Sequence, residues 1–259
     1  MFDNITNFKM PEITSKTVFG KVFQIYTVLI IYPFSWAMTA IVSTLILIFS
    51  KLISPRWASK VIGRAWGKIL LWIAFSPAKV IGAENVDPKQ SYIIVCNHQS
   101  LYDILLVYGH LPTEIKWVMK KELEKMPFVG LACKTMGHVF VDRSNTEKAK
   151  QSLSAAKHLI SDGVSAFFFP EGTRSKSGLL LPFKKGAFRM AKELNLPILP
   201  VTINGANSVM TPGSLSIFPA KVSLTIHKPI SAELYSEKDV NELSSMSKTA
   251  IASALEIKN

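Results

Sequence analysis

Two polar groups dominate the chemistry legible in this chain: His98 with Asp103, and Glu171-Gly172-Thr173-Arg174. A histidine beside a carboxylate is the pairing that makes a general base, because the carboxylate fixes the tautomer and steadies the imidazolium. On one helix, residues five apart are turned about 140° from each other and cannot touch. If His98 lies in a loop and Ser100 caps the next helix, Asp103 falls in the first turn and the two can meet. Ser100-x-x-Asp103 also fits a capping box, which would give Asp103 a purely structural role. At the second group, Gly172 lets backbone pass close to a ligand. The planar fork of Arg174 matches a phosphate bidentately. Glu171 could accept from a substrate hydroxyl or orient Arg174. The alternative is a polar surface turn with an ion pair, which stabilises by roughly 0–1 kcal/mol.

These residues follow short apolar runs. Seven candidate strands are predicted: Lys79–Gly82, Tyr92–Cys96, Ile115–Met119, His138–Val141, Ala166–Phe169, Ile198–Ile203 and Lys221–His227. Helical patterns alternate with them over Leu101–Tyr108, Lys121–Met136, Thr146–Ile160, Phe183–Leu194 and Lys238–Ile257. Alternation of this kind predicts an α/β fold with a mixed, largely parallel sheet flanked by helices. Sites in such sheets form beyond the carboxyl ends of the strands. Three strand ends would then bring His98, Asp103, Arg143, Glu171 and Arg174 to one crevice. Cys96 and Cys133 have no metal-type spacing, and Cys96 reads as a buried strand residue.

The first 78 residues differ from residues 79–259. Val22–Ser50 is 29 residues without a charge, and Pro33 divides it into runs of 11 and 17. At 1.5 Å per residue neither arm spans a ~30 Å hydrocarbon core. Proline breaks or kinks helices, and both flanks are basic, which keeps both in the cytoplasm. A helical hairpin dipping into one leaflet is therefore expected over a single span. Trp57, Trp66 and Trp72 follow, interleaved with Arg56, Lys60, Arg64 and Lys68 at helical spacing, as on an interfacial amphipathic helix. The chain carries 30 Lys plus Arg against 18 Asp plus Glu, a net +12. The first eighty residues supply +7 of it, from nine basic and two acidic residues. That concentration points to an anionic phospholipid membrane. No nucleic-acid reading motif accompanies the charge, so a nucleic-acid partner is not expected.

Four ordered blocks resemble those of the glycerolipid (lysophospholipid) acyltransferase family. They are Asn97-His98 through Asp103, Gly137–Arg143, Phe169–Ser175 and Leu196–Val201, with Lys184-Lys185-Gly186-Ala187 as a further match. The likeness runs over roughly residues 79–230. It implies transfer of a fatty acyl chain from acyl-CoA or acyl carrier protein to the sn-2 hydroxyl of lysophosphatidic acid, giving phosphatidic acid for phospholipid biosynthesis. A different lysophospholipid, or glycerol 3-phosphate, is the alternative acceptor. No cofactor or metal is implied. His98 would be the general base and Asp103 its partner. Glu171, Gly172, Thr173 and Arg174 would bind the glycerol phosphate end. Arg143 would add positive charge, and Lys120 is a further candidate for the phosphate. Backbone amides near His98 are candidates for the oxyanion donors. The resemblance extends to the N-terminal anchor and implies the cytoplasmic face of the inner membrane.

Overall fold

A computed structural model describes residues 17–142, 144–235 and 237–256. Helix α1, Val18–Leu52, is 35 residues long and passes through Pro33 without a break. The proline therefore does not make the turn of a hairpin. A wide π-turn over Thr27–Ile31 lies just before it, where the Thr27 hydroxyl donates to the Phe23 carbonyl at 2.9 Å. Widening the ring of hydrogen bonds is a common way for a helix to absorb a residue with no N–H. The chain reverses well beyond Pro33, at Ile53-Ser54, after the whole apolar run. Ser54 caps the next helix by accepting from the Trp57 amide at 3.1 Å. That helix, α2, runs through Pro55–Ala58, Ser59–Gly63 and Arg64–Ile73. A helical hairpin is thus present, but its arms are the whole apolar run and the Trp-rich amphipathic segment.

All seven strands form: β1 Ala78–Ile81, β2 Ile93–Cys96, β3 Glu114–Lys120, β4 Val139–Val141, β5 Val164–Phe168, β6 Ile198–Asn204 and β7 Val222–Ile226. They build one sheet in the order β1-β7-β6-β2-β5-β3-β4, and each neighbouring pair is parallel except β6 with β7. Helices α3 Tyr102–His110, α4 Val129–Thr135, α5 Thr146–Ala155, α6 Gly186–Leu194 and α7 Val240–Ser253 flank it. The expected helix over 121–136 is split. Lys121–Lys125 is a 3-10 turn, and Met126, the residue before Pro127, is extended at ψ 128°. Steric clash with a following proline pushes a residue out of the helical region.

Strand β2 shows why the sheet needs cover on both faces. Its residues are all buried, with Ile94 and Cys96 turned to the core beneath α2 and α3, and Ile93 and Val95 to the core beneath α6 and α7. Burying each such aliphatic side chain stabilises by about 1.5–3 kcal/mol. Helix α2 lies unusually close to α3. A Cβ on Gly67 would stand 2.6 Å from the Leu105 carbonyl oxygen and 2.8 Å from the Gly109 nitrogen, so only glycine permits that approach. Helix α1 rests on the domain along its length. Phe23 and Ile31 join the core under α3, while Val42 and Ile46 pack with Ala132 and Met136. Its outer side leaves Val22, Leu29, Trp36 and Ile41 exposed.

Candidate active site

The loop leaving β2 carries His98, and its shape is set by backbone hydrogen bonds rather than by chance packing. Asn97 copies a strand: its Nδ2 donates to the Ile203 carbonyl at 2.9 Å and its Oδ1 accepts from the Ile203 amide at 2.7 Å. This ties the loop to β6. Asp103, fully buried in the first turn of α3, accepts through Oδ2 from the Gln99 and Ser100 amides at 2.6 and 2.8 Å. The same oxygen takes His98 Nδ1 at 2.8 Å. One carboxylate oxygen therefore both fastens the backbone entering α3 and holds the His98 ring. A carboxylate only accepts, so Nδ1 bears the proton and Nε2 presents its lone pair. Nε2 makes no hydrogen bond among the described residues, and the side chain retains 15% exposure. The ring also stacks on Phe169, with centroids 3.8 Å apart and planes 10° apart.

Glu171 answers differently from either sequence expectation. It is buried, with Oε1 accepting from the His98 amide at 2.8 Å and Oε2 from the Leu181 amide at 2.9 Å. Its oxygens face these amides rather than Arg174 or open space. Burial pushes its carboxyl above the usual range, while those two amides pull it back. The Ser175 amide closes the junction by donating to the His98 carbonyl at 2.8 Å. The backbone on both sides of the histidine is thereby fastened to the 170–175 loop. The amides of His98, Gln99 and Ser100 are all bound to carboxylates, so these three are not free oxyanion donors.

Gly172 has φ 74°, the left-handed region that glycine tolerates. Thr173 is exposed and Arg174 half-buried, and Arg174 has no ion pair among the described residues. Lys120, at the carboxyl end of β3, is 57% exposed and paired with Glu122 at 3.2 Å. Among the described residues, this exposed ion pair is its one salt bridge. Arg143 lies outside the described residues. Burial raises the Cys96 thiol well above its ordinary range, with the Asp103 and Glu171 charges adding to the shift. A thiolate nucleophile is disfavoured there. Among the described residues, no three His, Cys, Asp or Glu side chains gather as a metal site would require. Sequence reasoning missed the Phe169 stack and the use of Glu171. Both arise only when the β2 and β5 loops meet.

A family model described as "Acyltransferase" matches residues 77–204, which contain the histidine loop, the 170–175 loop and β6. The chain belongs to the acyltransferase family. It is 35% identical over 180 residues to a 1-acyl-sn-glycerol-3-phosphate acyltransferase of Cocos nucifera, covering 69% of this chain and 58% of that one. The alpha form from Mus musculus is 34% identical over 167 residues, 64% of this chain and 59% of the relative. The acyltransferase chain thus spans somewhat over half the length of these curated relatives. The crystal structure of the 1-acyl-sn-glycerophosphate acyltransferase PlsC from Thermotoga maritima superposes with a TM-score of 0.78 and 29% identity, covering 91% of this chain and 96% of that one.

Proposed function

We propose that the chain transfers a fatty acyl group from acyl-CoA or acyl carrier protein to the sn-2 hydroxyl of lysophosphatidic acid, forming phosphatidic acid for phospholipid biosynthesis. The observation that carries this is the His98–Asp103 pair, held at 2.8 Å with Nε2 unpartnered and partly exposed. The names of its relatives support the acceptor. In the proposed reaction, the acceptor hydroxyl oxygen attacks the thioester carbonyl as Nε2 takes the hydroxyl proton. The tetrahedral oxyanion collapses, the C–S bond breaks, and the departing thiolate takes the proton back from the imidazolium. His98 ends neutral, and no acyl-enzyme forms. General-base catalysis supplies about 10²–10⁴-fold of the rate. Arg174 binds the acceptor's phosphate, and positioning accounts for much of the remainder.

The α1–α2 pair serves as the membrane-binding element, on the cytoplasmic face of the inner membrane. Helix α1 lies along the domain while its outer side exposes Leu29 at 65% and Trp36 at 67%, which suits seating in one leaflet. Trp72 on α2, 78% exposed, adds an interfacial anchor.

The test is an acylation assay with the full chain, comparing lysophosphatidic acid, lysophosphatidylcholine and glycerol 3-phosphate. Lysophosphatidic acid should turn over fastest, and equal or faster turnover of another acceptor would overturn the acceptor assignment. His98→Ala should abolish transfer without altering the thermal melt, and retained activity would remove the general base.

A further inference from the structure

We propose that Lys184 is a second substrate-binding cation, acting beside Arg174 on the acceptor's phosphate. This rests on the reading of the 170–175 loop as the phosphate site. The Lys184 side chain lies across Gly172. A Cβ built on that glycine would stand 2.9 Å from both Cε and Nζ of Lys184 and 3.2 Å from Cδ. Glycine at this position therefore does two things: it allows φ 74°, and it leaves the space that the lysine occupies.

The placement is fixed by backbone. The Lys184 amide donates to the Pro170 carbonyl at 2.8 Å, and the Leu181 amide to Glu171 Oε2 at 2.9 Å. Residues 181–184 are thus fastened along the loop that carries Arg174. The loop's own carboxylate, Glu171, accepts from two amides and, among the described residues, forms no ion pair with either cation. Among the described residues, ion pairs engage Lys116, Lys120, Lys134, Lys150, Lys157 and Lys238, but neither Lys184 nor Arg174. Lys185 belongs to a different environment, near Asp239, whose carboxyl it helps to hold below the usual range.

The chemistry calls for two cations. A phosphate monoester carries about −1.5 to −2 charge at pH 7 and three acceptor oxygens. An arginine fork engages two oxygens in one plane, and a lysine ammonium can approach the third as a point charge.

The experiment compares lysophosphatidic acid with the corresponding monoacylglycerol, which lacks the phosphate, using the full chain in mixed micelles. Lys184→Met keeps the methylenes over Gly172 and removes the charge. Its KM for lysophosphatidic acid should rise about 10-fold, the size of one charge-assisted contact. Its kcat should stay within about 2-fold and its acyl-donor KM should not move. The preference over monoacylglycerol should fall by the same factor as KM rises. Lys184→Arg should retain most of that preference, and Lys185→Met should match the parent chain. Should Lys184→Met melt early, Lys184→Gln reads the same loss of charge. An unchanged preference in Lys184→Met, with Arg174→Ala impaired, would overturn the role of Lys184 alone. If both variants keep the preference, the phosphate-loop reading itself fails. A raised donor KM with an unchanged acceptor KM would also overturn the proposal.

Discussion

Replacing Asp103 by Asn separates the two duties of its carboxylate. In serine-protease triads the same substitution lowers kcat about 10⁴-fold, because the amide holds the histidine in the wrong tautomer. Here the outcome should be milder, for a structural reason. Oδ2 receives the Gln99 and Ser100 amides at 2.6 and 2.8 Å, and those donors demand an acceptor at that position. An asparagine must therefore place its carbonyl oxygen there and its NH2 at the Oδ1 position. The oxygen still accepts from His98 Nδ1, so the correct tautomer survives. What disappears is the negative charge next to the forming imidazolium. A full charge pair at about 4 Å with an effective dielectric of 20 is worth about 4 kcal/mol. With charge only partly developed in the transition state, kcat should fall about 10²–10³-fold. The Oδ1 position is buried and without a hydrogen-bond partner among the described residues, so an NH2 there should destabilise the fold by about 1–3 kcal/mol. The assays are steady-state kinetics, chemical denaturation, and ¹⁵N NMR of the His98 ring. A loss as complete as that of His98→Ala, or a ring carrying its proton on Nε2, would refute the argument that backbone amides select the acceptor.

Three further outcomes are expected. Gly67→Ala should destabilise by about 1–3 kcal/mol in denaturant, since its methyl would meet the Leu105 carbonyl at 2.6 Å and force α2 from α3; an unchanged midpoint would contradict that close approach. Glu171→Gln should lower both stability, by about 1–3 kcal/mol, and kcat/KM, since its NH2 would face one of the two amides from His98 and Leu181; a melt and kinetics matching the parent would contradict this. His138, buried against Tyr108 at 2.5 Å, is pushed down to about 3 from 6.5 by burial, with the Lys116 charge adding. Its folded value is lowered, so the unfolded chain binds the extra proton between about pH 3 and 6.5, and stability falls as pH falls through that window. His138→Gln should shrink the stability lost between pH 7 and pH 5 by about 2 kcal/mol, leaving a smaller slope from His110 and His227, which burial shifts the same way. An undiminished loss would show that His138 is not the titrating group.

The strands were legible because each is a short apolar run closed by a polar turn, and a sheet buried on both faces leaves that signature. The His98–Asp103 pair was legible because a loop-then-first-turn placement is the one local arrangement that lets the two meet. Other features depended on partners distant in sequence. Which atoms would claim the Glu171 oxygens was settled by the amides of His98 and Leu181, 73 and 10 residues away. The Phe169 stack likewise needs two neighbouring strands to deliver their loops to one spot. Pro33 misled for a local reason: a wider helical turn absorbs the missing N–H, and residue type alone does not announce it. Pro127 behaved as proline usually does, and the helix pattern around it concealed the break.

The fastening of His98 to the 170–175 loop bears on how this scaffold can be re-engineered. The histidine's amide bonds to Glu171 and its carbonyl to the Ser175 amide, so the proposed proton acceptor and the proposed phosphate loop share one backbone junction. Under the proposed reaction, their separation behaves as a fixed gauge between the reacting hydroxyl and the head group of the acceptor. Redesign for acceptors with a different span between those two groups cannot proceed by sliding the loop, because the base would travel with it. New regiochemistry must come from side chains grafted onto an unchanged junction.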